Sequence, residues 1–138
     1  MKATVQPENA PVPKGPYSPG VTVSDRVLYV SAQGPFDPKT GAVVGDTFED
    51  QVERVFENIK VIAAAAGATL ADVVKLTVFI TDWNNFEAMN QICIRYFPEP
   101  YPARTPVHME IPGALFMADA VVALERDYGT ADCQNLRS

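Results

Sequence analysis

The chain has 138 residues, room for one domain with a sizeable core and too few for two ordinary ones. Hydrophobic residues make up 47% and charged residues 20%, with a mean hydropathy of −0.02, which excludes both a disordered chain and a membrane-spanning one. Eleven Lys and Arg against 17 Asp and Glu leave a formal charge of −6 and no basic stripe, so neither nucleic acid nor a membrane surface is an expected partner.

The first twenty residues hold five of the twelve prolines: Pro7, Pro11, Pro13, Pro16 and Pro19. That density excludes a helix and predicts an extended arm from Pro7 to Gly20 lying over the body. Val21–Val23 and Val27–Ser31 are β-rich runs separated by Ser24-Asp25-Arg26, which reads as a hairpin. Asp37-Pro38-Lys39-Thr40-Gly41 is a turn by its chemistry. From Thr47 to Ala66 the apolar positions Phe48, Val52, Val55, Phe56, Ile59, Ile62, Ala63 and Ala66 recur every three or four residues, giving one apolar helix face. Thr47 or Asp46 caps its start, Asp50 completes a pattern like a capping box, and Gly67 supplies the stop.

Val73–Ile80 is an apolar strand, and Thr81-Asp82 opens a second helix with Phe86, Met89, Ile92, Cys93, Tyr96 and Phe97 on its buried face. Pro98, Pro100 and Pro102 end it, and two more strands follow, Thr105–Ile111 and Ala118–Leu124. The coarse order is β-β-α-β-α-β-β. Two helices on one face of a mixed, mostly antiparallel sheet bury these faces economically, an α+β two-layer domain spanning 1–138, with residues 1–20 as arm and 128–138 as a polar tail. Val73–Ile80 is apolar on both sides, so the sheet's other face needs a partner, and oligomerisation supplies one.

Candidate chemistry is sparse. One histidine, His108, cannot build a metal cage, and there is no HExxH, P-loop or GxGxxG run, so metal and nucleotide chemistries are disfavoured. His108 reads as a strand-face residue and Cys93 as a small hydrophobe on a helix face. Cys93 and Cys133 share no CxxC spacing, and Met1-Lys2-Ala3-Thr4 leads into no apolar segment, so the expected location is the reducing cytoplasm. Ser31 lacks a nucleophile elbow and reads as a strand-end serine. Arg104, set rigidly after Pro102-Ala103 at a strand entry, offers a planar fork for a carboxylate. Asp119, between Ala118 and Ala120 in an apolar strand, must be paired, solvated at an interface, or raised in pKa as a general acid or base requires.

Taken together, Tyr17 in GPYSP, Ser31 and Gln33 in SAQG, the DPKTG turn, Gln51 and Asn58-Ile59 on the first helix, VVKLTVFITD, Phe86 with Met89-Asn90, and YPAR before a strand resemble the reactive intermediate deaminase (Rid/YjgF) family. The resemblance runs from about Gly15 to Leu124. It implies a chorismate-mutase-like trimer with clefts between subunits, and cofactor-free hydrolysis of enamines and imines such as 2-aminoacrylate and 2-iminopropanoate to 2-keto acids and ammonia. Carried over by position, the substrate-carboxylate arginine falls on Arg104, the site tyrosine on Tyr17, the strand-end serine on Ser31 and the helix asparagine on Asn90. In ungapped register the water-orienting glutamate falls on Asp119, one methylene shorter. Three further positions depart from the family: Ala32 replaces a glycine, Pro106 a cysteine whose carbonyl can still point inward, and Cys93 a tyrosine. A trimeric binding protein for small 2-keto acids, without catalysis, is the alternative, and ribonuclease activity is disfavoured by the charge.

Overall fold

The computed structural model describes residues 2–6, 8, 12, 13, 15–24 and 26–125. Its strands are β1 (Lys2–Val5), β2 (Gly20–Val23), β3 (Val27–Gln33), β4 (Val73–Ile80), β5 (Ala103–His108) and β6 (Phe116–Ala123), with helices α1 (Phe48–Ala65) and α2 (Phe86–Tyr96). No helix among the described residues is long and apolar enough to cross a membrane.

Helix α1 starts where the sequence places it. The Thr47 hydroxyl accepts a hydrogen bond from the Asp50 amide at 3.1 Å, satisfying one of the donors that a helix start leaves free. Past Ala66 the chain turns through Gly67 at φ +83°, a conformation that a Cβ would strain. The polar residues of its inner side pin loops. Asn58 donates to the carbonyls of Gly34 and Phe36 at 3.2 and 3.0 Å, and Gln51 donates to Gly45 O while accepting from the Leu115 amide at 2.8 Å. Asp82 caps a one-turn 3₁₀ helix, Trp83–Asn85, that leads into α2.

The four-stranded sheet has the order β3-β6-β4-β5, with β4 and β5 parallel and the other pairs antiparallel. It is a mixed α+β layer, as the sequence predicts. Both helices cover one face. There Val30, Leu76, Val78, Ile80, Phe116, Ala118, Ala120 and Val122 are buried against Val52, Val55, Phe56, Ile59, Met89 and Ile92. The Phe56 ring meets those of Phe97, Tyr96 and Phe116 at centroid distances of 5.0, 5.5 and 5.7 Å.

Three sequence expectations are corrected. The run Val21–Val23 does not form a hairpin with Val27–Ser31: β2 pairs with β1, which the arm reading did not anticipate, and β3 pairs with β6. Local β-propensity marks both runs as strands but carries no information about which distant edge each one meets. The late strands begin earlier than read, at Ala103 and Phe116. Parallel pairing to β4 extends β5 back from Thr105, and Pro106 is tolerated because β5 is an outer strand. The DPKTG turn stands as read, with Asp37 Oδ1 accepting from the Lys39 and Thr40 amides at 2.8 and 3.0 Å. Cys133 and the 128–138 tail lie outside the described residues.

Candidate functional site

Arg104 is the second residue of β5 and pairs with Leu76 of β4, so it takes the helix face of the sheet. Its side chain runs to the first turns of α2. One guanidinium nitrogen, Nη1, donates to Asn90 Oδ1 at 2.7 Å and lies 3.7 Å from Cys93 Sγ. The guanidinium carbon sits 5.5 Å from the Phe86 ring centroid and 5.7 Å from that of Tyr17, two cation–π contacts that fix the plane of the fork. Arg104 Nε is buried and has no hydrogen-bond partner among the described residues. Nε and Nη2 form the edge that a carboxylate grips bidentately, and here Nη1 alone is engaged by Asn90.

The arm brings Tyr17 to this place. Ser18 N–H donates to Pro102 O at 2.8 Å, its hydroxyl donates to Tyr101 O, and Ser18 bridges Ala103 alongside β5. Gly15 lies so close that a Cβ there would be 3.7 Å from Arg104 Nη2. Arg104, Tyr17 and Asn90 therefore converge. Pro106, two residues on in β5, shares the face of Arg104 and is half-buried opposite Val78.

Ser31 and Asp119 converge elsewhere. Asp119 pairs with Thr77 on the sheet face without helices, while its neighbours Ala118 and Ala120 face the core. Between the pairs Val30↔Ala120 and Gln33↔Ala118, Ser31 and Ala32 form a bulge across from Asp119. The same open face carries Tyr29, 78% exposed in mid-strand, with Lys75, whose Nζ donates to Thr105 Oγ1 at 2.6 Å. Within one chain the two groups of residues lie on opposite sides of the sheet.

Electrostatics separate the groups around Arg104. Hydrogen bonds from Gln91 and Asn90 hold Glu87 below the usual carboxylate range. Burial pushes the Cys93 thiol up, only partly offset by the nearby guanidinium and its hydrogen bond. His108 is exposed, with Nε2 3.1 Å from Thr81 O and its ring centroid 5.6 Å from that of Trp83, the two planes tilted by 36°. Phe86 and Cys93, read from periodicity as members of the buried face of α2, both touch Arg104. The signal was present: Phe86, Asn90 and Cys93 recur at helical spacing, and a polar residue inside that apolar stripe needs a buried partner. An apolar cleft of about 460 Å³ between the ends of α1 and α2 includes none of the residues around Arg104.

Comparison with known proteins gives a consistent picture. A family model described as endoribonuclease L-PSP matches residues 7–115. The chain is 45% identical over 109 residues to a RutC family protein of Pyrococcus horikoshii, covering 79% of this chain and 86% of that one. It is 42% identical over 112 residues to a 2-iminobutanoate/2-iminopropanoate deaminase of Salmonella typhimurium, again covering 79% and 86%. The crystal structure of RidA from Psychrobacter sp. PAMC 21119 superposes with a TM-score of 0.68 at 39% identity, covering 88% of this chain and 99% of that chain.

Proposed function

The chain belongs to the endoribonuclease L-PSP (Rid/YjgF) family, and from that premise we propose that it hydrolyses small 2-imino acids to 2-keto acids and ammonia in the cytoplasm. The observation that carries this reading is the Arg104 guanidinium, with Nη1 engaged by Asn90, Nε buried and unpartnered among the described residues, and its plane set by Tyr17 and Phe86. A substrate carboxylate satisfies that orphaned donor, and the clamp presents the adjoining imine carbon in one orientation. Water adds to that carbon, passing one proton to the imine nitrogen; the resulting carbinolamine then gives its hydroxyl proton to the nitrogen as the C=O bond forms and the C–N bond breaks, releasing ammonia and the 2-keto acid.

Asp119 is the group to orient and deprotonate the water, with Ser31 beside it across the bulge. Since both lie on the face away from Arg104, the complete site takes its two halves from adjacent copies in a homotrimer. The Pro106 carbonyl, near Arg104 in β5, is a further acceptor for the water or the leaving nitrogen. Tyr29, standing 78% exposed beside Val121, and the Phe79–Met117 pair farther along the same face give the open face the apolar content that a second copy would cover. Metal and organic cofactor have no step in this scheme.

The test is a coupled assay in which an amino-acid oxidase generates imino acids in situ and semicarbazide traps the survivors. Loss of semicarbazone on adding the protein, with ammonia released, supports the reading. Unchanged trapping with measurable binding of 2-oxobutanoate would favour the alternative of a trimeric carboxylate-binding protein, for which the separation of Asp119 from Arg104 within one chain is the motivating observation.

A further inference from the structure

Asn90 holds Arg104, and Glu87 holds Asn90. The Asn90 amide donates through Nδ2 to Glu87 Oε1 at 3.3 Å and accepts through Oδ1 from Arg104 Nη1 at 2.7 Å. Gln91 Nε2 anchors the other oxygen of the same carboxylate at 3.0 Å. Residues 87, 90 and 91 all lie on α2, so three side chains form a line from solvent to the half-buried Arg104.

We propose that Glu87 is a positioning residue for the carboxylate clamp: by accepting from the Asn90 NH₂, it fixes the Asn90 amide in the one orientation that presents oxygen to Arg104. An amide turned through 180° puts its NH₂ against the Nη1 donor and its oxygen against the Glu87 carboxylate, two repulsions at once. Without an acceptor at 87 the second repulsion disappears and the wrong orientation becomes populated. Arg104 then loses its fixed support while keeping its charge. The ionised state of Glu87, favoured by its two hydrogen bonds, is consistent with a permanent acceptor. The inference rests on the reading of Arg104 as the substrate-carboxylate clamp.

The experiment compares Glu87→Ala with Glu87→Gln, because the glutamine oxygen still accepts from Asn90 Nδ2, with the glutamine NH₂ donating to the amide oxygen of a turned Gln91, while the charge is gone. Both variants lose the same acidic group from the first turn of α2, so a merely structural role lowers Tm equally in both. The expected result is a KM for 2-iminobutanoate and a Kd for 2-oxobutanoate raised roughly three- to tenfold in Glu87→Ala, with kcat within twofold, and both restored in Glu87→Gln. A second readout is independent of turnover: solvent exchange of the Arg104 Nε–H proton by NMR, expected to accelerate in Glu87→Ala and return to the wild-type rate in Glu87→Gln. Equal behaviour of the two variants, or a Glu87→Ala protein like wild type in both KM and Nε–H exchange, overturns the proposal. A wild-type protein that neither deaminates imino acids nor binds 2-oxobutanoate overturns the clamp reading instead, and the exchange measurement still decides the link from Glu87 to Arg104.

Discussion

The two faces of the four-stranded sheet are made of similar residues and meet opposite fates. On β6, Phe116, Ala118, Ala120 and Val122 are buried under the helices, whereas Met117, Asp119 and Val121 on the other side remain half-exposed. On β4 the contrast repeats, with Leu76, Val78 and Ile80 sealed and Lys75, Thr77 and Phe79 partly open. Apolar content alone does not explain the difference, since Val121, Phe79 and Tyr29 are as hydrophobic as many core residues. What differs is the supply of covering elements: the two α-helices among the described residues both lie on the same side. The covered face secures the fold, and the uncovered one carries Asp119 and Ser31, half of the proposed site.

The sharpest way to break this comparison is to truncate one large ring on each face. Phe56→Ala, at the centre of four packed rings, should cost about 3–5 kcal/mol in urea denaturation. Tyr29→Asp on the open face should leave the fold intact and instead abolish association, read by size-exclusion chromatography with light scattering, where wild type should elute as a trimer. A stable wild-type monomer at micromolar concentration would remove the premise that the open face is an interface.

A smaller effect separates the two half-sites. Arg104→Lys keeps the charge but loses the planar fork, so imine turnover should fall by roughly 100-fold together with 2-oxobutanoate affinity. Asp119→Asn should lower turnover on a similar scale, roughly 100-fold, while 2-oxobutanoate affinity stays at the wild-type value. Parallel losses of affinity in both variants would place Asp119 in ligand binding rather than in water activation. The oligomeric state of each variant has to match wild type before rates are compared.

The smallest effect belongs to the helix layer alone. Burial, then the hydrogen bond to Glu57 at 2.9 Å, pushes the Tyr96 phenol up to about 12. A tyrosine of ordinary pKa in the unfolded chain ionises first, so the native contribution of Tyr96 is intact below about pH 10 and fades as pH rises toward 12. Tyr96→Phe should therefore flatten the alkaline decline in Tm over that window, and a wild-type and variant decline of equal steepness would show that Tyr96 is not its source.

Much of the helix layer was legible in the sequence. The spacing of Val52, Val55, Phe56 and Ile59, the Thr47 cap and the Gly67 stop determine α1 locally, because a helix satisfies its backbone within a few residues of itself. The same holds for the buried stripe of α2 and for the turn at Asp37. The residue types of the candidate site were legible too, through Arg104, Tyr17 and Asn90 and their order along the chain. Strand partnership was not, since β2 could meet β3 or β1 with the same local pattern, and only the assembled edges select β1. Nor did the sequence determine the sides on which Arg104 and Asp119 lie. Side chains alternate along a strand, but the side taken by a given residue follows from register with its neighbours, and here β4 aligns Leu76 with Arg104 and Thr77 with Asp119. That one-residue offset between two pairings, a property of the folded sheet, is what puts the carboxylate clamp and the acid on opposite faces.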